Sequence, residues 1–259
     1  MQQREKARRS LLQTMAYNLY VADCMKKMAR MKANSIDLIF ADPPYFLSTE
    51  DGVTCHSGKM VSVDKGEWDR SKSIKEMHAF NRKWIRQCFR LLKPSGSIFI
   101  SGTFHNIYSV GMSLQQEGFI IVNNITWQKL NPPPNLACKC FTHSTETVIW
   151  AVKDKKRYYF DYPLMKKLNN GKQMKDVWSG PLTPRREKAY GKHPTQKPEY
   201  LLERIVLAAS KEGDWVMDPF CGSGTTGIVS VKNGRHFIGI DIEQEYIDLS
   251  ERRISSARF

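Results

Sequence analysis

Two short stretches of this chain set chemistry-bearing residues beside structure breakers. The first is Ser35–Phe46, S-I-D-L-I-F-A-D-P-P-Y-F, where an apolar run ends in Asp42-Pro43-Pro44-Tyr45. Asp and Pro end strands everywhere, so a plain turn already accounts for these residue types. They also make a rigid clamp for a flat, amine-bearing ligand: a carboxylate accepts N–H, two prolines fix the backbone, and a phenol ring stacks. The second stretch is Asp218-Pro219-Phe220-Cys221-Gly222-Ser223-Gly224-Thr225-Thr226-Gly227, with Asp241 following nineteen residues after Gly222. Gly222, Gly224 and Gly227 satisfy G-x-G-x-x-G, in which backbone approaches an adenosine-bearing cofactor and an acid beyond the next strand accepts the ribose hydroxyls.

The spacing does not say which cofactor. A nicotinamide or flavin dinucleotide fits poorly, because only one further strand follows the motif and a second mononucleotide half has no place. Asp218 would also repel a pyrophosphate, whereas it suits a cationic amino group. S-adenosylmethionine (AdoMet) carries an ammonium, a ribose and an adenine, and no phosphate. In an open parallel sheet, ligands bind at the carboxyl ends of strands beside the topological switch point. If the strands before Asp42 and Asp218 are neighbours there, clamp and cofactor share one crevice. Adenine's exocyclic amine is a poor nucleophile, since its lone pair is delocalised into the ring. Asp42 and the Pro43 carbonyl, each accepting one N–H, would bare that lone pair for in-line attack on the AdoMet methyl, with Tyr45 stacked on the base. Pro44 has no N–H to compete. No Pro-Cys dipeptide of the kind used in covalent C5-cytosine methylation occurs.

The elements needed to position these residues alternate between strand-like and helix-like runs, which predicts an α/β fold with a mostly parallel sheet. Strands are expected at Leu19–Ala22, Ile36–Ala41, Ser97–Ser101, Phe119–Trp127, Thr145–Val152, Trp215–Met217 and Phe237–Ile240. Helices are expected after Asp23, over 74–92 with a stop at Lys93-Pro94-Ser95-Gly96, over 106–117, over 199–210, from the glycine turn to Lys232, and from Gln244 onward. Residues 46–72 read as a long functional loop. Between Lys153 and Lys192 the rhythm fails. Twelve Lys and Arg stand there against four acids, +8 of the chain's net +14, interleaved with Tyr158, Tyr159, Phe160, Tyr162, Trp178 and Tyr190. That mixture suits phosphate and base contacts and predicts a nucleic-acid-facing segment, with Lys155, Lys156, Arg157, Lys172, Lys175, Arg185 and Arg186 as its cations.

Composition narrows the class further. No apolar run approaches the ~20 residues of a membrane span, and the start of the chain reads as a basic arm without an apolar signal segment. A cytoplasmic protein with no membrane partner is expected. Six cysteines occur without a C-x-x-C pair, and Cys138-Lys-Cys140-Phe-Thr-His143 lacks a fourth ligand, so reduced thiols and no metal are expected.

With both motifs in view, D-P-P-Y ahead of D-P-F-C-G-S-G-T-T-G resembles the circularly permuted β-group amino-methyltransferases of DNA, over nearly the whole chain. The resemblance implies a Rossmann-like AdoMet-dependent methyltransferase fold. A basic arm (1–16), a catalytic half (17–152), a small basic target-recognition insertion (153–192) and a cofactor half (193–259) would follow one another. It assigns Asp23 to the cofactor's adenine and Asp241 to its ribose, with Asp218, Phe220, Gly222, Gly224, Thr225 and Thr226 around it. Lys197 of His193-Pro-Thr-Gln-Lys197-Pro would meet the methionine carboxylate. Asp42, rather than Ser, at the head of the clamp favours adenine-N6 over cytosine-N4; an N4-cytosine or RNA amino-methyltransferase is the alternative. The segments H-N-I-Y-S-V-G-M, N-N-I-T-W-Q-K, F-T-H-S-T-E-T and G-K-Q-M-K-D-V-W are similar to the second adenine methyltransferases of Dpn-type GATC restriction-modification systems. Two other classes remain to be weighed: a catalytically silent DNA-binding partner, which the basic segment alone would support, and a nicotinamide oxidoreductase, which rests on the glycines alone. Monomer and homodimer are both open.

Overall fold

The computed structural model describes residues 16–46, 53–54, 60–61 and 73–257. The expected basic arm, apart from residue 16, and most of the loop 46–72 lie outside them. In chain order the elements are β1 (Tyr17–Val21), α1 (Cys24–Ala29), β2 (Ile36–Ala41), β3 (Val53–Thr54), β4 (Met60–Val61), α2 (Ile74–Leu91), β5 (Leu92–Gly102), α3 (Ile107–Gln116), β6 (Ile120–Lys129) and β7 (Thr145–Val152). There follow α4 (Tyr162–Leu168), β8 (Val177–Gly180), a 3-10 turn (Arg185–Lys188), α5 (Glu199–Ala209), β9 (Trp215–Asp218), α6 (Thr225–Lys232), β10 (His236–Asp241) and α7 (Gln244–Ser256).

Eight strands form one sheet in the order β1-β10-β9-β2-β5-β7-β6-β8. The run from β1 to β5 is parallel, β7 is antiparallel to both β5 and β6, and β8 is parallel to β6. The last two strands of the chain, β10 and β9, lie between its first two, β1 and β2, as circular permutation requires. Helices cover both faces, so the central strands are apolar on both sides. In β2, Ile36, Ile39 and Ala41 pack with Met28, Trp84, Ile85 and Cys88, while Leu38 and Phe40 pack with Leu202, Ile205 and Ile228. A register shift between Ile36 and Leu38 lets Ile36 and Ile39 share a face despite their odd spacing.

Helix α2 shows how local sequence sets an element. Ser73 and Glu76 close a capping box at its start. Met77, Asn81, Trp84, Ile85, Cys88 and Leu91 recur at helical spacing and are its buried face. Lys93-Pro94-Ser95-Gly96, expected only as a stop, already belongs to β5, where the irregular pairing with β2 tolerates a proline without an N–H.

The basic segment is woven into this sheet. Its strand β8 pairs with β6 and its helix α4 buries Met165. Trp178 is buried too, alternating with exposed Val177 and Ser179, and Tyr158 and Phe160 lie against the buried Trp150. Trp178 and Tyr158, expected to contact bases, pack into the core, whereas Phe160 stays exposed beside Trp150. A four-residue alternation among charges is too short to read from sequence. Direction matters as well. Because β7 runs antiparallel, Val152 pairs with Ser97, early in β5, and Lys153 bonds the Leu92 carbonyl and Asn34 at that end. Residues 153–157 therefore emerge at the end of the sheet opposite the one where β2 and β9 finish.

Candidate active site

Strands β2 and β9 are neighbours, with Leu38 opposite Val216 and Ile39 opposite Met217. The condition for a shared crevice is met. Moving along the sheet, four acids stand at or just beyond the carboxyl ends of β1, β10, β9 and β2: Asp23, Asp241, Asp218 and Asp42. All four line one cavity, with Phe220, Gly222, Thr225, Thr226, Pro44 and Lys197.

Each acid is held locally. Asp23 caps α1, its Oδ1 accepting from Lys26 N at 2.9 Å. Asp241 accepts from Gly222 N (2.8 Å) and Glu243 N (3.1 Å), and burial raises its pKa. Asp218 accepts from Phe220 N at 3.0 Å and Thr226 Oγ1 at 2.6 Å. Burial pushes Asp218 up to about 7, despite those hydrogen bonds. The turn that aims these donors needs glycine. Gly224 caps α6 at φ +73°, and a Cβ there would lie 2.8 Å from that of Ser250. Phe220 meets Trp84 edge-on, with ring centroids 5.2 Å apart, which ties the cofactor turn to α2. His193, also lining the cavity, is pushed down to about 4 by burial and by the nearby Lys197 and Arg253, so it is neutral at pH 7.

The clamp is more heavily engaged than its four residues suggest. Asp42 Oδ1 accepts from Tyr45 Oη at 2.6 Å, and Asp42 Oδ2 from Lys197 Nζ at 2.5 Å. Tyr45, expected to stack on a base, is buried here with its hydroxyl on the Asp42 carboxylate. Lys197, expected to meet a ligand carboxylate, lies on Asp42. It also donates to Tyr45 Oη at 3.1 Å and stands 3.5 Å from Glu146 Oε2. Glu146 in turn pairs with Lys129 at 2.6 Å. Burial draws the Lys197 ammonium down, yet Asp42 and Glu146 together hold its pKa well above the ordinary lysine value. Glu146 and Lys129 escape a reading by motif. Their only signal is a lone acid opening an otherwise apolar strand, T-E-T-V-I-W-A-V, with a lysine closing the strand beside it.

A family described as DNA methylase (N6/N4) matches residues 36–252. The chain belongs to the DNA methylase family. It is 62% identical over 237 residues to the Type II methyltransferase M2.DpnII of Streptococcus pneumoniae, covering 91% of this chain and 88% of that one. It is 59% identical over 236 residues to the Type II methyltransferase M2.LlaDCHI of Lactococcus lactis subsp. cremoris, covering 90% and 87%. Among solved structures, the M1.HpyAVI–SAM complex superposes with a TM-score of 0.68 at 27% identity, covering 92% of this chain and 98% of that one.

The cations expected to hold DNA divide within this methylase. Lys155, Lys156 and Arg157 are exposed but occupy the far end of the sheet, and Arg157 pairs with Asp154 at 3.2 Å. Lys172 and Lys175 are exposed ahead of the edge strand β8. Arg185 and Arg186 are exposed at the cavity end, in a turn whose Glu187 carbonyl accepts from Gln196, the neighbour of Lys197. The β6–β7 connection is at that end too, and carries Lys139 and Phe141, the latter 97% exposed. Cys140 and His143 approach to 3.7 Å there, but among the described residues no group of three His, Cys, Asp or Glu can hold a metal ion. Among them, too, no helix is long and apolar enough to cross a membrane.

Proposed function

We propose that this DNA methylase transfers the methyl group of AdoMet to the N6 amine of adenine, in duplex DNA, within GATC and in the cytoplasm. The observation that carries the reading is the adjacency of β2 and β9, which puts the Asp42 clamp and the glycine turn on one cavity. The donor set suits AdoMet. Asp218, 3% exposed and facing the cavity, is a counter-charge for an ammonium; Asp241, at the next strand end, suits a ribose; and Asp23, one strand further, suits the adenine edge. Bound AdoMet supplies an electrophilic methyl group.

The chain's own residues do the rest by positioning and charge. Asp42 and the Pro43 carbonyl accept the two N–H bonds of the target amine and expose its lone pair. With AdoMet bound, the amine would take its methyl group as the methyl leaves sulfur, and the amine proton would pass to the Asp42 carboxylate and on to solvent. Tyr45 leaves Asp42 Oδ1 to the amine and turns its ring to the base. The target base must leave the duplex, which costs a few kcal/mol that contacts elsewhere offset. Arg185, Arg186 and the exposed β6–β7 connection, at the cavity end, are the surface we assign to DNA, with Lys172 and Lys175 at its border. Residues 17–152 act as the catalytic half, 193–259 as the cofactor half, and the later part of 153–192 as the recognition segment. The Asp at the head of the clamp favours adenine, and the four Dpn-like segments favour GATC.

Labelled methyl transfer to oligonucleotides with and without GATC, followed by mass spectrometry of the nucleosides, tests the reading. N6-methyladenine confined to GATC is expected. N4-methylcytosine, or N6-methyladenine in another motif alone, would overturn the base or the site respectively.

A further inference from the structure

Behind Asp42 runs a line of three further charges that no step so far uses. Lys129 on β6 meets Glu146 Oε1 at 2.6 Å, Glu146 Oε2 faces Lys197 Nζ at 3.5 Å, and Lys197 ends on Asp42. All four are largely buried, their side chains 13%, 11%, 6% and 12% exposed. Such a string is a weak source of stability, because desolvating the charges cancels most of their attraction and apolar side chains would pack as well. Its geometry does something apolar residues cannot. Lys197 hydrogen-bonds Asp42 Oδ2, and Glu146 Oε2, buried with no hydrogen bond of its own, stands within ion-pair distance of the same ammonium. Asp42 Oδ1, which here accepts from the Tyr45 hydroxyl, is then the oxygen that faces an incoming amine once Tyr45 turns away.

Resting on the methylation reading above, we propose that Glu146 is a positioning residue: it anchors Lys197 as a cation on the far side of Asp42, and so sets which carboxylate oxygen accepts the target amine. The groups facing Lys197 are Asp42 and Tyr45 from the loop after β2, Glu146 from β7 with Lys129 behind it on β6, and His193 and the Thr195 carbonyl from its own loop. Of the acids among these, Glu146 is the one whose charge can be removed without touching the amine's own contacts. Without it Lys197 keeps one carboxylate partner in a buried site, and its ammonium is lost at lower pH.

The experiment compares single-turnover methyl transfer by wild type, Glu146→Gln, Glu146→Asp and the double variant Lys129→Met/Glu146→Gln across pH. Glu146→Gln is expected to slow transfer by about tenfold or more and to move the basic limb of the profile to lower pH, while AdoMet and DNA affinities stay within about twofold. Glu146→Asp keeps the charge but withdraws it by one bond length, so an intermediate rate is expected even if Glu146→Gln folds poorly. The double variant is expected to remain slow. Recovery of the wild-type rate there would mean that Glu146 only neutralises Lys129, and would overturn the proposal. An unchanged rate and profile in Glu146→Gln would overturn it equally, as would a defect confined to AdoMet or DNA affinity. The wild-type rate on DNA tests the functional reading by itself; only the ratio of variant to wild type bears on Glu146.

Discussion

Asp42 and Asp241 stand at strand ends on the same cavity, and the proposed reading gives them different steps. Asp42→Ala is expected to abolish methyl transfer while AdoMet binding stays largely intact, because Asp42 serves the target amine. Asp241→Ala is expected to weaken AdoMet by about 1.5–3 kcal/mol for each charge-assisted hydrogen bond removed. Calorimetry and initial rates on the two variants separate the roles, and full activity in Asp42→Ala would sink the mechanism. Asp218 adds a pH dependence. Burial raises it to about 7 in the folded protein from 3.8, so it folds most readily while protonated and its contribution to stability falls as pH rises from 3.8 toward 7. An ammonium partner has the opposite preference, for the ionised form. AdoMet affinity is therefore expected to tighten as pH rises through about 7, with proton release on binding below it. Titration calorimetry in buffers of different ionisation enthalpy measures both effects, and Asp218→Asn is expected to remove them.

At the scale of elements, the site depends on how abruptly β9 gives way to α6. Gly222 (φ +50°) and Gly224 (φ +73°) let the backbone reverse, so that Gly222 N reaches Asp241 and Cys221 N reaches the Ile240 carbonyl. Helix α7 closes over this turn: Ser250 Oγ donates to the Gly222 carbonyl, and Arg253 to the carbonyl of Ser223 at 2.5 Å. A methyl at Gly224 would meet Ser250 and also incur the left-handed penalty of about 1–2 kcal/mol. Gly224→Ala is expected to lower unfolding free energy by at least that much, read by denaturant titration, and to weaken AdoMet in parallel. Wild-type stability in this variant would show that the turn relaxes freely.

Over the whole molecule, the two ends of the sheet carry different groups. The strands β1, β10, β9 and β2 finish at the cavity, whereas β7 runs back and delivers Lys155, Lys156 and Arg157 to the other end. Positive charge draws DNA to any part of a basic protein, but only cations that touch phosphate in the productive complex release counterions there. Arg185→Ala/Arg186→Ala is expected to weaken DNA binding on every sequence and to flatten its salt dependence, by up to about one unit of slope for each phosphate no longer neutralised. Neutralising Lys155, Lys156 and Arg157 together is expected to leave both nearly unchanged. Binding isotherms at several salt concentrations decide between the two clusters, and the reverse ranking would move the DNA to the other face.

The residues that line the shared cavity were legible in the sequence because their chemistry is local. Asp42-Pro-Pro-Tyr45 and the glycine turn each combine breaker, acid and strand end within a few positions, and strand alternation is enough to predict the parallel sheet around them. The permuted order of the halves was legible from the order of the two motifs. Contacts between distant segments were not. Lys197 reaches Asp42 across 155 positions, and Glu146 holds Lys197 from a strand whose neighbours are known only once the sheet is assembled. The direction of β7 likewise decided which lysines can approach the cavity. A count of charges carries no direction, whereas hydrogen-bond register gives every residue an end of the sheet.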